Sequence, residues 1–210
     1  EIMPSLVGSE MCIRDSFKPM LDDFKEENNL KIIYDVQRKD FPALVQDVRR
    51  GNIDLVLGAY YQTELFKGLE LVYPSILSNP LTVFTLPERI GDIKTTEDLK
   101  KLKGARISKE FYTDFVNEQI QDYNLEVVDD AYKLFELLFT KKVDYILVSQ
   151  YYGLVEASKL GLRHHISVAR QTVWKMPLFI GISKLSPHRR MIAQKLTQYS
   201  EKPENRKKIE

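Results

Sequence analysis

Two stretches of this chain follow one plan. ALVQDVRRGNIDLVLGAYY, from Ala43, and KLFELLFTKKVDYILVSQYY, from Lys133, each carry an apolar stripe at helical spacing, a basic pair, a turn, an apolar run opened by Asp54 or Asp144, and two adjacent tyrosines. Apolar residues three and four apart make a helix with one buried face, and short unbroken apolar runs make strands buried on both faces. A helix that feeds straight into such a strand is the building unit of α/β folds. The echo between the stretches is as compatible with shared fold grammar as with duplication, so its weight is positional.

The rest of the chain keeps this rhythm. Phe17, Met20, Leu21 and Phe24 fall at helical spacing, and LKIIYDV from Leu30 reads as a strand. Asp40 can cap the next helix, Pro42 suits its first turn, and Gly51 can end it in the left-handed conformation. A strand over 53–58 follows, then a loop containing Pro74 and Pro80, then the strand LTVFTL. Thr95 with Asp98 forms a capping-box pattern before the short helix TEDLKKLKG. Strands are expected at 105–108, 125–128 and 143–148, and helices at 111–123, 131–140 and 151–160, the last ended by Gly161. A strand at 166–169 precedes TVWKMPLFIGIS, one long strand or a pair, and Ser186 with Pro187 starts a final helix. The expected class is α/β with mostly parallel sheets.

At 210 residues the chain can bury one large core or two smaller ones. Its 31 basic and 30 acidic residues leave a net charge of +1, which argues for neither nucleic acid nor an anionic membrane surface as partner. No apolar run approaches the roughly 20 residues that span a bilayer. SLVGSEMCIRDS, residues 5–16, resembles a peptide that arises when sequencing adapter is translated with its insert. Residues 1–16 are therefore expected to be a non-native leader, disordered or loosely attached, with the helix opening only at Phe17. Cys12, the single cysteine, lies inside it.

Little in the chain points to catalysis. His164, His165 and His188 lack metal spacing and read as exposed, and no G-x-S-x-G or phosphate-loop motif occurs. Asp54 and Asp144 open their strands at the end away from any binding edge, so turn or cap roles suit them. Neither cofactor nor metal is expected, and the chain reads as a non-enzyme. In open α/β sheets ligands bind beyond the carboxyl ends of strands, where Tyr60 and Tyr61 of one half and Tyr151 and Tyr152 of the other are placed.

At this point the residues resemble a family, the bacterial extracellular solute-binding proteins of the amino-acid type (family 3), built on the type II periplasmic binding fold. VQDVRRGNIDLVLGAYYQTE, LVYPSI, IKTTEDLKKLKGARIS and ELLFTKKVDYILV carry the resemblance, in that order, over nearly the whole chain from Phe17. It implies two lobes, each a mostly parallel sheet flanked by helices, joined by two hinge strands. Lobe one would take 17–83 with 174–210 and lobe two 84–173, with the family's first strand of lobe one missing. It also implies an extracytoplasmic or periplasmic location, a small solute held between the lobes, and an ABC permease or a signalling protein as partner.

The departures from the family bear on the ligand. Members that bind α-amino acids carry an Arg three residues after the Thr of the loop that follows the G-x-x-D strand, yet QTELFKGLE has none: the position falls at Leu65 or Phe66, and Lys67 is the nearest cation. The second-lobe Asp that accepts the ligand ammonium falls at Ser149, and the small turn that helps hold the ligand carboxylate becomes SKEFYT, 108–113. A standard α-amino acid is thus not the expected ligand. The candidate binding residues are Tyr60, Tyr61, Thr63, Lys67, Glu110, Phe111, Tyr112, Ser149, Gln150, Tyr151 and Trp174, a set suited to sugars, aromatic solutes or cations. For Tyr73 and Trp174 packing is favoured over binding. A cleft enzyme of dehydratase type is the weaker alternative, and would draw on Glu64 or Glu110.

Overall fold

A computed structural model describes residues 4–6, 10–33, 41–61, 67–108, 110 and 112–202. The chain divides into two compact units, Glu1–Ser78 with Pro177–Glu210 and Asn79–Met176. Sequence reasoning puts the divisions at 83/84 and 173/174. They fall instead outside the strands of the second sheet, which claims all of residues 81–85 and holds Trp174 opposite Leu81.

The first unit is a four-stranded sheet of β1 (Pro4–Leu6), β2 (Leu55–Ala59), β3 (Leu69–Ser78) and β9 (Pro177–Ser183), in the order β1-β2-β9-β3. β1 runs parallel to β2, while β9 is antiparallel to both β2 and β3. Helix α2 (Phe41–Arg50) lays Leu44, Val45 and Val48 on Val56, Leu71 and Phe179. It ends at Gly51, whose φ of 73° is the left-handed value that favours glycine. Helices α1 (Glu10–Asn28) and α7 (Arg189–Glu201) belong to the same unit, where Phe24 meets Tyr199 edge to face at 6.0 Å. Asp54 has the expected turn role: its carboxylate accepts from the Ser186 hydroxyl and its carbonyl from the Ser183 amide at 2.8 Å.

Three expectations are corrected here. The described residues of the expected leader are part of the fold: Pro4, Ser5 and Leu6 pair with Leu55, Val56 and Leu57, and α1 starts at Glu10 rather than Phe17. Strand pairing satisfies backbone groups whatever the side chains, so three residues close the β2 edge without an apolar pattern to announce them. The stretch around Pro74 is not a loop but part of β3, a ten-residue strand. β3 is the sheet's edge, and Pro74 falls in its register break between Val72 and Leu77, where a missing N–H costs no ladder bond. In LKIIYDV only Ile32 makes a bridge among the described residues, and 34–40 lie outside them.

The second unit is a five-stranded sheet of β4 (Leu81–Thr85), β5 (Lys103–Ile107), β6 (Asn124–Val128), β7 (Tyr145–Ser149) and β8 (Ser167–Trp174), ordered β6-β5-β7-β4-β8. β5 is parallel to β6 and β7, whereas β4 is antiparallel to β7 and β8. Each sheet thus has one strand that runs against the rest, β9 in the first and β4 in the second, and the remaining strands share one direction, as the expected mostly parallel sheets require. The reversed strand β4 is the unit's first and pairs with its last, β8, and the Asn79 amide donates to the Met176 carbonyl at 3.0 Å, which sets the unit's two ends side by side.

Helices α3 (Thr96–Leu99), α4 (Asp114–Ile120), α5 (Ala131–Phe139) and α6 (Gln150–Lys159) complete this unit. The Thr95–Asp98 capping box forms as expected, and Thr113 and Asp130 cap α4 and α5 by accepting from the Val116 and Lys133 amides. The Thr113 cap starts α4 at Asp114 rather than at 111, and the helix ends at Ile120, short of the expected 123. Leu134, Phe135 and Leu138 of α5 pack with Phe84, Ile146 and Val148 of the sheet. Gly153 lets α6 lie close: a Cβ there would stand 2.6 Å from the Phe84 ring and 2.8 Å from Val148. At the opposite strand ends Asp144 pairs with Arg89 at 2.9 Å and accepts from the Lys103 amide at 2.9 Å, the turn role expected of it. No helix among the described residues is long and apolar enough to cross a membrane.

Candidate functional site

The carboxyl ends of β5 and β7 lie next to each other in the second sheet, and the segments leaving them build a polar arrangement at that edge. β7 stops at Ser149, which also precedes α6 but does not cap it with its side chain. Instead the Ser149 amide donates to Glu110 Oε1 at 2.8 Å, and the Ser149 hydroxyl donates to the same oxygen. Glu110 comes from the segment between β5 and α4. Its Oε2 accepts from the Tyr112 hydroxyl at 3.0 Å, a hydroxyl that also lies 3.4 Å from the Leu147 carbonyl.

Burial organises the electrostatics of this edge. The Tyr112 ring is buried at 1% exposure, and the Arg106 guanidinium lies over it, 5.9 Å from its centroid. Glu110 is partly buried. Loss of water pushes its carboxyl above the ordinary carboxylate range, and the donors from Ser149 and Tyr112 and the charge of Arg106 pull it back part of the way. The Gln150 amide, next along the chain, donates to the Pro80 carbonyl at 2.8 Å.

Four of the expected residues, Glu110, Tyr112, Ser149 and Gln150, thus gather at one edge. Tyr151 comes next, on the first turn of α6, and is exposed, while Tyr152 packs on the core. Trp174 is buried at 8% exposure with its ring tilted against Tyr123, so packing occupies it. Arg106 is a residue that sequence reasoning misses. A charged residue in the short run KGARI is its only signal.

In the first unit the tyrosine pair also splits. The β2–β9 register shifts between Leu57 and Ala59, and Gly58 adopts a φ of 74°. The strand is buried on both faces from Leu55 to Ala59, Tyr60 just beyond it is buried as well, and Tyr61 is 51% exposed. Lys67 is exposed, and its carbonyl accepts from the Lys184 ammonium at 3.4 Å. Tyr73 packs on Phe179 at 5.2 Å between ring centroids. Thr63, Glu64 and Phe111 lie outside the described residues.

Neither a protein-family model nor a curated protein matches the chain. Solved structures do. The ligand-binding core of GluR0 in complex with L-glutamate is 14% identical with a TM-score of 0.75, covering 98% of this chain and 96% of its own. A histidine kinase sensor domain with similarity to periplasmic binding proteins is 10% identical, TM-score 0.73, covering 99% and 93%. The amino acid ABC transporter substrate-binding protein AbpA from Streptococcus pneumoniae, bound to L-arginine, is 13% identical, TM-score 0.69, covering 99% and 92%. Likeness at such identities speaks for the fold. The chain has the α/β fold of two sheet-and-helix units that periplasmic-binding-protein-like structures share.

Proposed function

We propose that the chain is an extracytoplasmic solute-binding protein that takes up a small polar or aromatic solute for an ABC transporter. The observation that carries this reading is the Glu110, Tyr112 and Ser149 arrangement. A carboxylate there is held at the carboxyl ends of two parallel strands, the place where α/β sheets hold ligands. Its support from the comparisons is a fold shared with substrate-binding proteins over nearly the full chain. The exposed rings of Tyr61 and Tyr151 add flat apolar faces with polar tips to the candidate set.

Amino acids are bound by several of the similar structures. A standard α-amino acid is nevertheless disfavoured here, because QTELFKGLE supplies no Arg for its carboxylate. A second reading, the ligand-sensing domain of a signalling protein, is favoured by the likeness to a histidine kinase sensor domain. Both readings use the same solute site. The dehydratase-type alternative has a single observation on its side, the likeness to an ancestral amino-acid-binding protein described as a precursor of cyclohexadienyl dehydratase.

A thermal-shift screen of the chain against sugars, polyamines, aromatic acids and amino acids tests the binding role. A solute that binds the folded state alone raises the melting temperature by mass action, so a concentration-dependent rise supports the reading. Turnover of a hit compound would replace the receptor by the enzyme.

A further inference from the structure

We propose that the Glu110 edge of the second unit receives a cationic group of the solute, an amine, amidine or guanidine, and turns anionic groups away. This deepens the solute-binding reading and rests on it. The physical basis begins at the start of α6. The free amides at a helix start are the natural seat of an anion. Here the Ser149 amide is taken by Glu110 and the Gln150 amide by the Pro80 carbonyl, both at 2.8 Å. An anionic group arriving at this edge finds those two donors engaged and meets a carboxylate.

A cation meets the reverse. An ionised carboxylate offers about four lone-pair positions. Two donors, the amide and hydroxyl of Ser149, occupy Oε1, and the Tyr112 hydroxyl occupies one position of Oε2. One acceptor position on Oε2 is left. Buried or half-buried carboxylates are ordinarily paired with a cation, yet among the described residues Glu110 has no ion pair. Arg106 is the cation that acts on it from a distance. Its guanidinium is engaged over the Tyr112 ring, and its influence is the weakest of those on Glu110. Three side-chain and backbone donors hold the carboxylate in place, so a ligand cation would gain a charge-assisted bond without having to order its partner first. Tyr151, exposed on the first turn of the same helix, gives an aromatic face of the kind that cations favour.

Isothermal titration calorimetry on the whole chain tests this with five probes: agmatine, putrescine, L-arginine, glutarate and glucose. The expected result is binding of agmatine or putrescine at neutral pH and none of glutarate. Glu110→Gln keeps the shape and the acceptor oxygen but removes the charge, and should weaken the cation about tenfold or more. Circular dichroism checks that the variant folds. The unmodified chain gives an independent readout: cation affinity should fall as pH drops through the Glu110 titration, with no such fall in the variant. Glutarate binding, or a cation Kd that Glu110→Gln leaves unchanged, overturns the proposal. Binding of glucose alone overturns it too while leaving the solute-binding reading in place. Silence from all five probes, joined by a silent thermal-shift screen, removes the solute-binding reading and this inference with it.

Discussion

Tyr112 and Glu110 are two residues apart in sequence and joined by a 3.0 Å hydrogen bond from the phenol to Oε2. The ring is buried and the carboxylate is not fully so, which makes the tyrosine the anchor and the glutamate the group it aims.

Tyr112→Phe removes the hydroxyl and keeps the ring. The variant should lose about 1 kcal/mol of stability, the usual worth of one hydrogen bond. Glu110 should titrate higher still, because a donor that favours its ionised form is gone. Carboxyl carbon NMR reads this directly, and an unmoved Glu110 titration would show that the 3.0 Å contact is not formed in solution.

The pH dependence of stability rests on the same carboxyl. Its folded pKa is raised above the ordinary 4.5 by burial, so between the two values the folded state holds more proton than the unfolded one. Stability from this group is therefore greatest below about 4.5 and declines as pH rises toward the folded pKa. Glu88 and Glu136, whose pKa values are lowered by hydrogen bonds from their surroundings, slope the opposite way. Denaturation of the native chain and of Glu110→Gln across this range isolates the effect, and the difference between the two curves should grow in the variant's favour as pH rises. Parallel curves would contradict it.

Gly153→Ala tests how closely α6 lies on its sheet. Alanine improves helix propensity by about 1 kcal/mol, but its Cβ would stand 2.6 Å from the Phe84 ring. Overpacking of this kind costs about 1–3 kcal/mol, so the sum is a loss. A more stable variant in urea denaturation would mean that the helix stands further from β4 than described.

Thr113→Ala deletes the oxygen that accepts from the Val116 amide at the start of α4. The expected loss is about 1 kcal/mol, with Thr113→Ser close to the parent. If alanine and serine melt together, the cap contributes nothing.

Much of this fold is legible because each local signal acts alone. Gly51 and Gly161 end helices with φ of 73° and 71°, and Thr95 and Asp98 announce a capping box that forms. Pro74 misleads because proline removes one donor wherever it sits, and only the strand order tells whether that donor had a partner to lose. The tyrosine pairs do sit at strand ends, but a strand buried on both faces carries no alternation from which to read that Tyr60 is buried and Tyr61 exposed. The contact between Glu110 and Ser149 joins residues 39 apart with no motif between them. Sequence alone therefore offers Glu110 as a candidate, and its partner emerges only where β5 and β7 stand side by side.

The division of the chain also has a temporal side. The second unit is one uninterrupted segment, Asn79–Met176, while the first is closed by β9, which pairs with β2 and β3 from across that whole segment. During synthesis the second unit leaves the ribosome complete, at a time when Leu55 and Leu69 still wait for Ile182 and Ser183. Long-range pairings of this kind are slow because their chain closure must come first. A finished second unit shortens that closure by holding its two ends together through Asn79 and Met176, so the inserted half acts as a folding clamp for the half that surrounds it.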